Sequence, residues 1–185
     1  DAGNYTVNTT AATTANITAR PITVSAVTDS RVYDATTDSA GVPTITSGSL
    51  AAGDTASFTQ SFDTKNVGTG KTLTPTGIVS DGNTGGNYSV TLVNNTTGQI
   101  TALGITGSVT ADNKVYDGTT AATIASRSLS GVIAGDSVSY TGGSASFGDK
   151  NVGTGKAVTA TGLGLTGADA GNYTVNTTAA TTANI

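Results

Sequence analysis

The chain has 185 residues, of which 36% are hydrophobic and 11% charged; it lacks Cys, Met, Trp and His, and all 12 acidic residues are Asp. Without His or Cys the commonest general base and the thiol nucleophile are missing, so no enzyme is expected, and a disulfide scaffold is excluded. A net charge of −4 and a pI near 4.4 leave no basic patch for nucleic acid or an anionic membrane, and no apolar run approaches the roughly 20 residues of a membrane span.

The chain opens on DAGNYTVNTTAATTANI (1–17), and the same 17 residues close it at 169–185. Between them, RVYDATT (31–37) returns as KVYDGTT (114–120), AGD (52–54) as 134–136, and KNVGTGK (65–71) as 150–156. Tyr33 and Tyr116 are 83 residues apart, a period too long for a small solenoid unit and suited to a small domain. The expected organisation is the tail of one repeat (1–17), a full repeat (18–100) and a second (101–185). Thr and Val favour strands, while Gly, Asn, Asp and Ser favour turns. In chain order the expected strands are PITVSAV (21–27), SRVYD (30–34), VPTIT (42–46), TASFTQSF (55–62), KTLTPTG (71–77), GNYSVTLV (86–93) and QITA (99–102). Their counterparts are GITGSVT (104–110), NKVYD (113–117), AATIA (121–125), SVSYTGGSASF (137–147), KAVTATG (156–162), GNYTVNT (171–177) and ANI (183–185). About seven short strands with frequent turns predict an all-β fold of two tandem Ig-like, Greek-key β-sandwich domains. The join GQITALGITGSV (98–109) has almost no linker, which predicts an elongated, end-to-end array.

KNVGTGKT (65–72) mimics a phosphate-binding loop, but Lys65 stands where the first glycine belongs, no helical period follows Thr72, and the second copy has Ala157 in place of the metal-binding hydroxyl. A structural turn is the better reading. Asp29 and Asp112, Asp34 and Asp117, and Asp54 and Asp136 align; in AGD the carboxylate is expected to bond its local backbone. Calcium wants several oxygens, and Asp1, Asp81 and Asp169 are the candidate ligands near junctions, although Thr84 replaces the aligned carboxylate in the middle copy. Lys65 and Lys150, and Lys71 and Lys156, also align. A covalent lysine–Asn or lysine–Asp crosslink is one use for them, solvated ion pairs the other. Asn-x-Ser/Thr triplets begin at Asn4, Asn8, Asn16, Asn87, Asn94, Asn95, Asn172 and Asn176, as glycan acceptors or as chance in an Asn- and Thr-rich chain. The recurring Tyr33, Tyr116, Tyr88 and Tyr173, with Phe62 and Phe147, are expected to be packing residues, with tyrosine hydroxyls bonding backbone; a sugar-stacking platform is the alternative use of the tyrosines.

KVYDGTT, AGD, KNVGTGK and GADAGNYT together closely resemble the YDG repeat, related to the "mostly beta, glycine-rich" repeats of bacterial surface proteins similar to filamentous haemagglutinin. The resemblance spans both copies and the lead segment. It implies secretion across a Gram-negative outer membrane, often by a two-partner route, and a stalk or spacer role in adhesion or biofilm cohesion. The implied partners are neighbouring repeats of a monomeric chain, with surface glycan or matrix polysaccharide as the alternative. It carries no catalytic residue and no cofactor. The first copy departs from the pattern: Ala35 stands where Gly118 does, from which a backbone without positive φ is expected, and DGNTGGNY replaces TGADAGNY. A Thr-rich ice-binding surface is a further alternative for 6–18, though its threonines break rank within one repeat.

Overall fold

The computed structural model describes all of residues 1–185 and is all-β apart from two short 3-10 turns at Ala2–Asn4 and Ala170–Asn172. The first repeat holds β1 (Arg20–Ser25), β2 (Ser30–Val32), β3 (Thr44–Ser47), β4 (Thr55–Phe62), β5 (Gly68–Ser80), β6 (Tyr88–Val93) and β7 (Asn95–Thr101). The second holds β8 (Leu103–Ala111), β9 (Ala121–Ala122), β10 (Ile124–Ser130), β11 (Ser139–Phe147), β12 (Lys156–Thr166), β13 (Tyr173–Val175) and β14 (Thr178–Ala183). Each repeat pairs a three-stranded sheet with a four-stranded one: β3-β1-β6 with β2-β7-β5-β4, and β10-β8-β13 with β14-β12-β11-β9.

The chain changes sheet five times in repeat 1, and two of these changes set its parallel pairings. It runs from β1 in the small sheet to β2 in the large one, and from β6 to β7 across the single residue Asn94. Consequently β1 lies parallel to β6, with Arg20 opposite Tyr88, and β2 lies parallel to β7, with Val32 opposite Thr101. Alternation drives the inward faces: Ile22 and Val24 of β1 are buried beside Phe58, Val79 and Tyr88, as period-two patterning requires. The two cores are filled differently at one point. Val24 against Phe58 in repeat 1 becomes Gly107 against Tyr140 in repeat 2, where any Cβ on Gly107 would meet the Tyr140 ring. A larger ring thus occupies the space a smaller neighbour leaves, and its hydroxyl donates to the Asn176 carbonyl at 2.7 Å.

Three local expectations are corrected. NKVYD forms no strand: Lys114 N–H reaches the Asn184 carbonyl at 3.0 Å, but the Asn113 side chain takes the Asn184 N–H at 2.7 Å, replacing a backbone rung. KNVGTG in repeat 1 is more than a turn, because β5 begins inside it and pairs with β7 through register shifts around Gly70, whose φ is +68°. Ala35 does take positive φ, +66°, matching Gly118 at +77°. The strain, about 1 kcal/mol, is offset by Asp34, which accepts the Thr36 N–H at 2.9 Å and closes the turn.

The lead segment shows how little its sequence decides alone. Residues 178–183 form β14, paired with β12 from Lys156 opposite Ala183 to Thr161 opposite Thr178. The identical residues 10–15 pair with no strand and are exposed throughout. Strand formation here needs a neighbouring ladder, because a lone strand leaves its backbone groups to water and buries nothing.

The accessible surface is 10915 Å². A single compact globule of this mass would expose about 8,000 Å². The excess reflects the open lead segment and two small bodies joined in series.

The inter-repeat junction as candidate functional site

Only Ala102 separates β7 of the first repeat from β8 of the second. Short as it is, this link does not hold the junction alone. One hydrophobic cluster crosses it, combining Ala26, Tyr33, Phe62, Leu73 and Ile100 of repeat 1 with Ile105 and Tyr173 of repeat 2. Tyr33 and Tyr173 meet edge to face, with ring centroids 5.4 Å apart at 74°, a favoured geometry for aromatic pairs.

Asp136 is the hub. Its side chain is only 4% exposed. One oxygen accepts from the hydroxyls of Tyr33 at 2.8 Å and Tyr173 at 2.6 Å, and the other from Lys65 Nζ at 3.1 Å. Lys65 also lies 3.7 Å from Asp169 and 5.8 Å from the Tyr33 ring centre. A buried carboxylate is costly unless it is paired and hydrogen-bonded; here donors from both repeats meet that demand. A second polar clasp sits beside it. Buried Asn172, positioned by the Ala170–Asn172 turn, accepts the Val67 N–H at 2.9 Å and donates to Asn66 Oδ1 at 3.2 Å. The KNV word thus supplies repeat 1's half of the junction, and AGD with DAGNY supplies repeat 2's half.

The charge states follow from these contacts. The Tyr173 hydroxyl bond, opposed by burial and helped by Tyr33 and Lys65, holds Asp136 below the usual carboxylate range. Burial, and then the bond to Asp136, push Tyr173 up to about 12 and raise Tyr33 as well. The Asp136 and Tyr33 contacts raise Lys65. For Asp136 the folded value is lowered, so its contribution is complete above about pH 4 and is lost as pH falls through the folded value. For the two tyrosines and Lys65 the folded values are raised. Their contribution is complete below about pH 10 and is lost as pH climbs through the raised values. Resistance to urea should therefore decline at both extremes, and ultraviolet titration should find tyrosines that ionise late. Phenols that all titrate together near pH 10, the ordinary value, would contradict the buried arrangement.

The other candidate residues take separate places. Tyr33, Tyr88, Tyr173, Phe62 and Phe147 are buried, the last in its own cluster with Val158 and Ala183. Tyr116 corrects the expectation of a packing role: it is 53% exposed. Its counterpart Tyr33 is covered by Asp136 and Tyr173 of the following repeat, and residues 1–185 place no such unit against Tyr116. Burial of Tyr33, Tyr88 and Tyr173 also removes their faces from any sugar-stacking platform. The calcium candidates do not converge. Asp1 is exposed at the end of the lead, Asp81 accepts the N–H groups of Asn83, Gly85 and Asn87, and Asp169 accepts the Ser137 N–H beside Lys65. No group of three acidic residues gathers into a metal-binding arrangement. The lysines form ion pairs: Lys71 lies 3.7 Å from Asp63, and Lys156 pairs with Asp149. A Lys65 crosslink to Asp136 would need a neutral amine and a protonated acid, and the pair is held in the opposite state. Asn172 and Asn176 spend their side chains on internal bonds, which withdraws both from the accessible glycan acceptors.

Sequence reasoning missed the role of AGD. Its aspartates do not bond local backbone through their side chains: Asp54 accepts the Tyr88 hydroxyl at 2.5 Å just as Asp136 accepts that of Tyr173. The hydroxyls accept in turn from Ala51 N–H and Ile133 N–H. The signal was present as the joint return of AGD and NY at similar separations, 34 residues in one copy and 37 in the other.

A family model described as the YDG domain matches residues 18–98 and again 100–182. The chain belongs to the YDG domain family. No curated protein and no solved structure matches it. The YDG word itself has one job in both repeats. Arg31 bonds Asp34 at 2.8 Å and lies over the Phe62 ring at 5.2 Å, while Lys114 bonds Asp117 at 2.8 Å and lies over Phe147 at 5.7 Å. The basic residue covers the core phenylalanine and the aspartate holds it there; in repeat 1 the tyrosine between them, Tyr33, reaches Asp136 and Tyr173 of repeat 2.

Proposed function

We propose that these two YDG units are spacer repeats in the stalk of a large secreted adhesin on the surface of a Gram-negative bacterium. Their task is to hold a cohesive or receptor-binding region away from the cell as a monomeric rod, without catalysis. The observation that carries this reading is the junction: a shared apolar cluster and the Asp136 hub join successive units across one residue of linker. Such a joint leaves little freedom for bending, whereas domains on flexible tethers move by default. The family resemblance supports the setting, including cell adhesion, biofilm cohesion and two-partner secretion.

Small-angle X-ray scattering tests the reading. A compact body of this length has a radius of gyration of about 16 Å, and two units end to end should exceed about 22 Å. A rod of the larger size, unchanged between calcium and chelator, is the expected result. A compact particle would sink the spacer role, and a rod only in calcium would return the junction aspartates to metal binding.

A further inference from the structure

The two repeats divide their last segment between the sheets at different points. In repeat 1, β6 keeps six residues beside β1, from Arg20 opposite Tyr88 to Ser25 opposite Val93. In repeat 2, β13 keeps three beside β8, from Leu103 opposite Tyr173 to Ile105 opposite Val175. The chain then crosses early, and β14 runs unbroken along β12 as far as Thr178 opposite Thr161. One residue accounts for the difference. Ala160 of β12 pairs with Ala179; the aligned residue of β5 is Pro75. Thr72 turns its carbonyl to Asp63 on the β4 side, so three residues on the backbone of Pro75 faces β7, where it has no N–H to donate. β7 accordingly reaches no further along β5 than Asn95 opposite Leu73, and residues 91–93 stay with β1. Repeat 2 extends its shorter ladder with one side chain: Asn176 accepts the Gly107 N–H at 2.8 Å and donates to the Gly107 carbonyl at 3.0 Å.

Each of these ladders ties the strand by which the chain enters a repeat to the strand that runs toward its exit. Both lie inside the chain, so the difference does not depend on what precedes or follows it. We propose that the difference grades the pair: when the chain is stretched, repeat 2 yields first and repeat 1 holds. Three paired residues resist less than six, because the pull on a strand is divided among the hydrogen bonds along it. The Asn176 amide adds less than the backbone pairs it stands in for, since a side chain turns about its own bonds and follows the pull. The joint between the repeats leaves the order unchanged. Its bonds from Tyr33 to Asp136 and from Val67 to Asn172 are drawn out end on, and Ala102 carries the pull once they part. Stretching therefore lengthens the chain in two steps, the first from repeat 2 and the second, at higher force, from repeat 1. Pro75 sets the grading, because it moves three residues of repeat 1 from the large sheet to the small one.

Optical-trap stretching of the full chain tests the order, with disulfide staples to mark each repeat. The chain has no native Cys. Gly104→Cys with Thr174→Cys staples the ladder of repeat 2: the two positions are exposed register partners, and a Cβ on Gly104 would lie 3.7 Å from the Thr174 hydroxyl. Thr23→Cys with Thr91→Cys does the same in repeat 1. A closed staple bypasses most of its repeat, so that repeat's step disappears. The unstapled chain should lengthen in two steps at unequal force. Oxidising the repeat 2 staple should abolish the weaker step and spare the stronger, and the repeat 1 staple should do the reverse. Dithiothreitol should restore each lost step in the same molecule, which also shows that the stapled variants are folded. A single step, two steps at one force, or loss of the stronger step with the repeat 2 staple would each overturn the proposal. The grading rests on ladder geometry and takes only its use from the spacer reading. Equal steps in a chain that scatters as a rod would end the grading and leave the spacer role standing; unequal steps in a compact particle would do the opposite.

Discussion

Replacing Asp136 with alanine should uncouple the two repeats while leaving each folded. The substitution strips the acceptor from two buried phenols and from Lys65. Hydrogen bonds to a charged group contribute about 1.5–3 kcal/mol each, and buried donors left without an acceptor cost a similar amount. Lys65 adds less, since its side chain is 37% exposed and water screens the pair, leaving a share of at most about 1 kcal/mol. The tyrosine bonds therefore decide the outcome, with a loss on the order of 3 kcal/mol. The independent core of repeat 2 around Phe147 and Val158 does not involve Asp136, so the loss should fall on the joint. Calorimetry should show one cooperative transition dividing into two, and scattering should report a broader range of inter-repeat arrangements. Asp54→Ala is the matched control, because Asp54 holds one tyrosine and no neighbouring repeat. Equal effects from the two substitutions would mean that Asp136 acts within its own repeat and not across the joint.

The second large effect separates two residues in the same word. Tyr33→Ala removes a ring that is 2% exposed and shared by both repeats; the cost should be about 3–5 kcal/mol, as for other large aromatic truncations. Tyr116→Ala removes a ring that is 53% exposed and should change the stability of the single chain by no more than about 0.5 kcal/mol. Urea unfolding of both variants settles it. A Tyr116→Ala cost near that of Tyr33→Ala would show that Tyr116 has packing partners in solution that the fold does not give it.

The contrast marks how far the sequence could be read. The seven strands of repeat 1 were legible because their signals are local: alternation in PITVSAV, turn residues in AGD, and recurrence of both; in repeat 2 NKVYD forms no strand and the last strand, Thr178–Ala183, precedes most of ANI. The pairing of β1 with β6 and of β2 with β7 was not legible, since parallel neighbours 68 or 69 residues apart leave no local mark. Repetition also misled. It presented Tyr33 and Tyr116 as equivalent, although what buries Tyr33 is Asp136, 103 residues onward in the next unit. It presented 1–17 and 169–185 as equivalent, although only the second has β12 beside it. Ala35 reversed the usual inference from glycine, because Asp34 stabilises the turn enough to keep positive φ without one. The junction was hidden for one reason throughout: its residues are ordinary within each repeat and gain their role only where two repeats meet.

The parallel pairings in repeat 1 determine how it would bear tension. The chain enters at the start of β1 and leaves at the end of β7, so its two ends emerge from opposite poles. Between them the β1–β6 ladder runs from Arg20 to Ser25, flanked by Arg20 N–H to the Asn87 carbonyl at 2.8 Å and Ala26 N–H to the Val93 carbonyl at 2.9 Å. The β2–β7 ladder continues to Val32, with Tyr33 N–H on the Thr101 carbonyl at 2.8 Å. A pull along the axis drags β1 and β2 backward and β6 and β7 forward. The rungs then carry load together, in shear, instead of opening one after another as a zipper does. Single-molecule pulling through the natural ends should meet a higher rupture force than pulling across the sheet, and equal forces would refute the shear account.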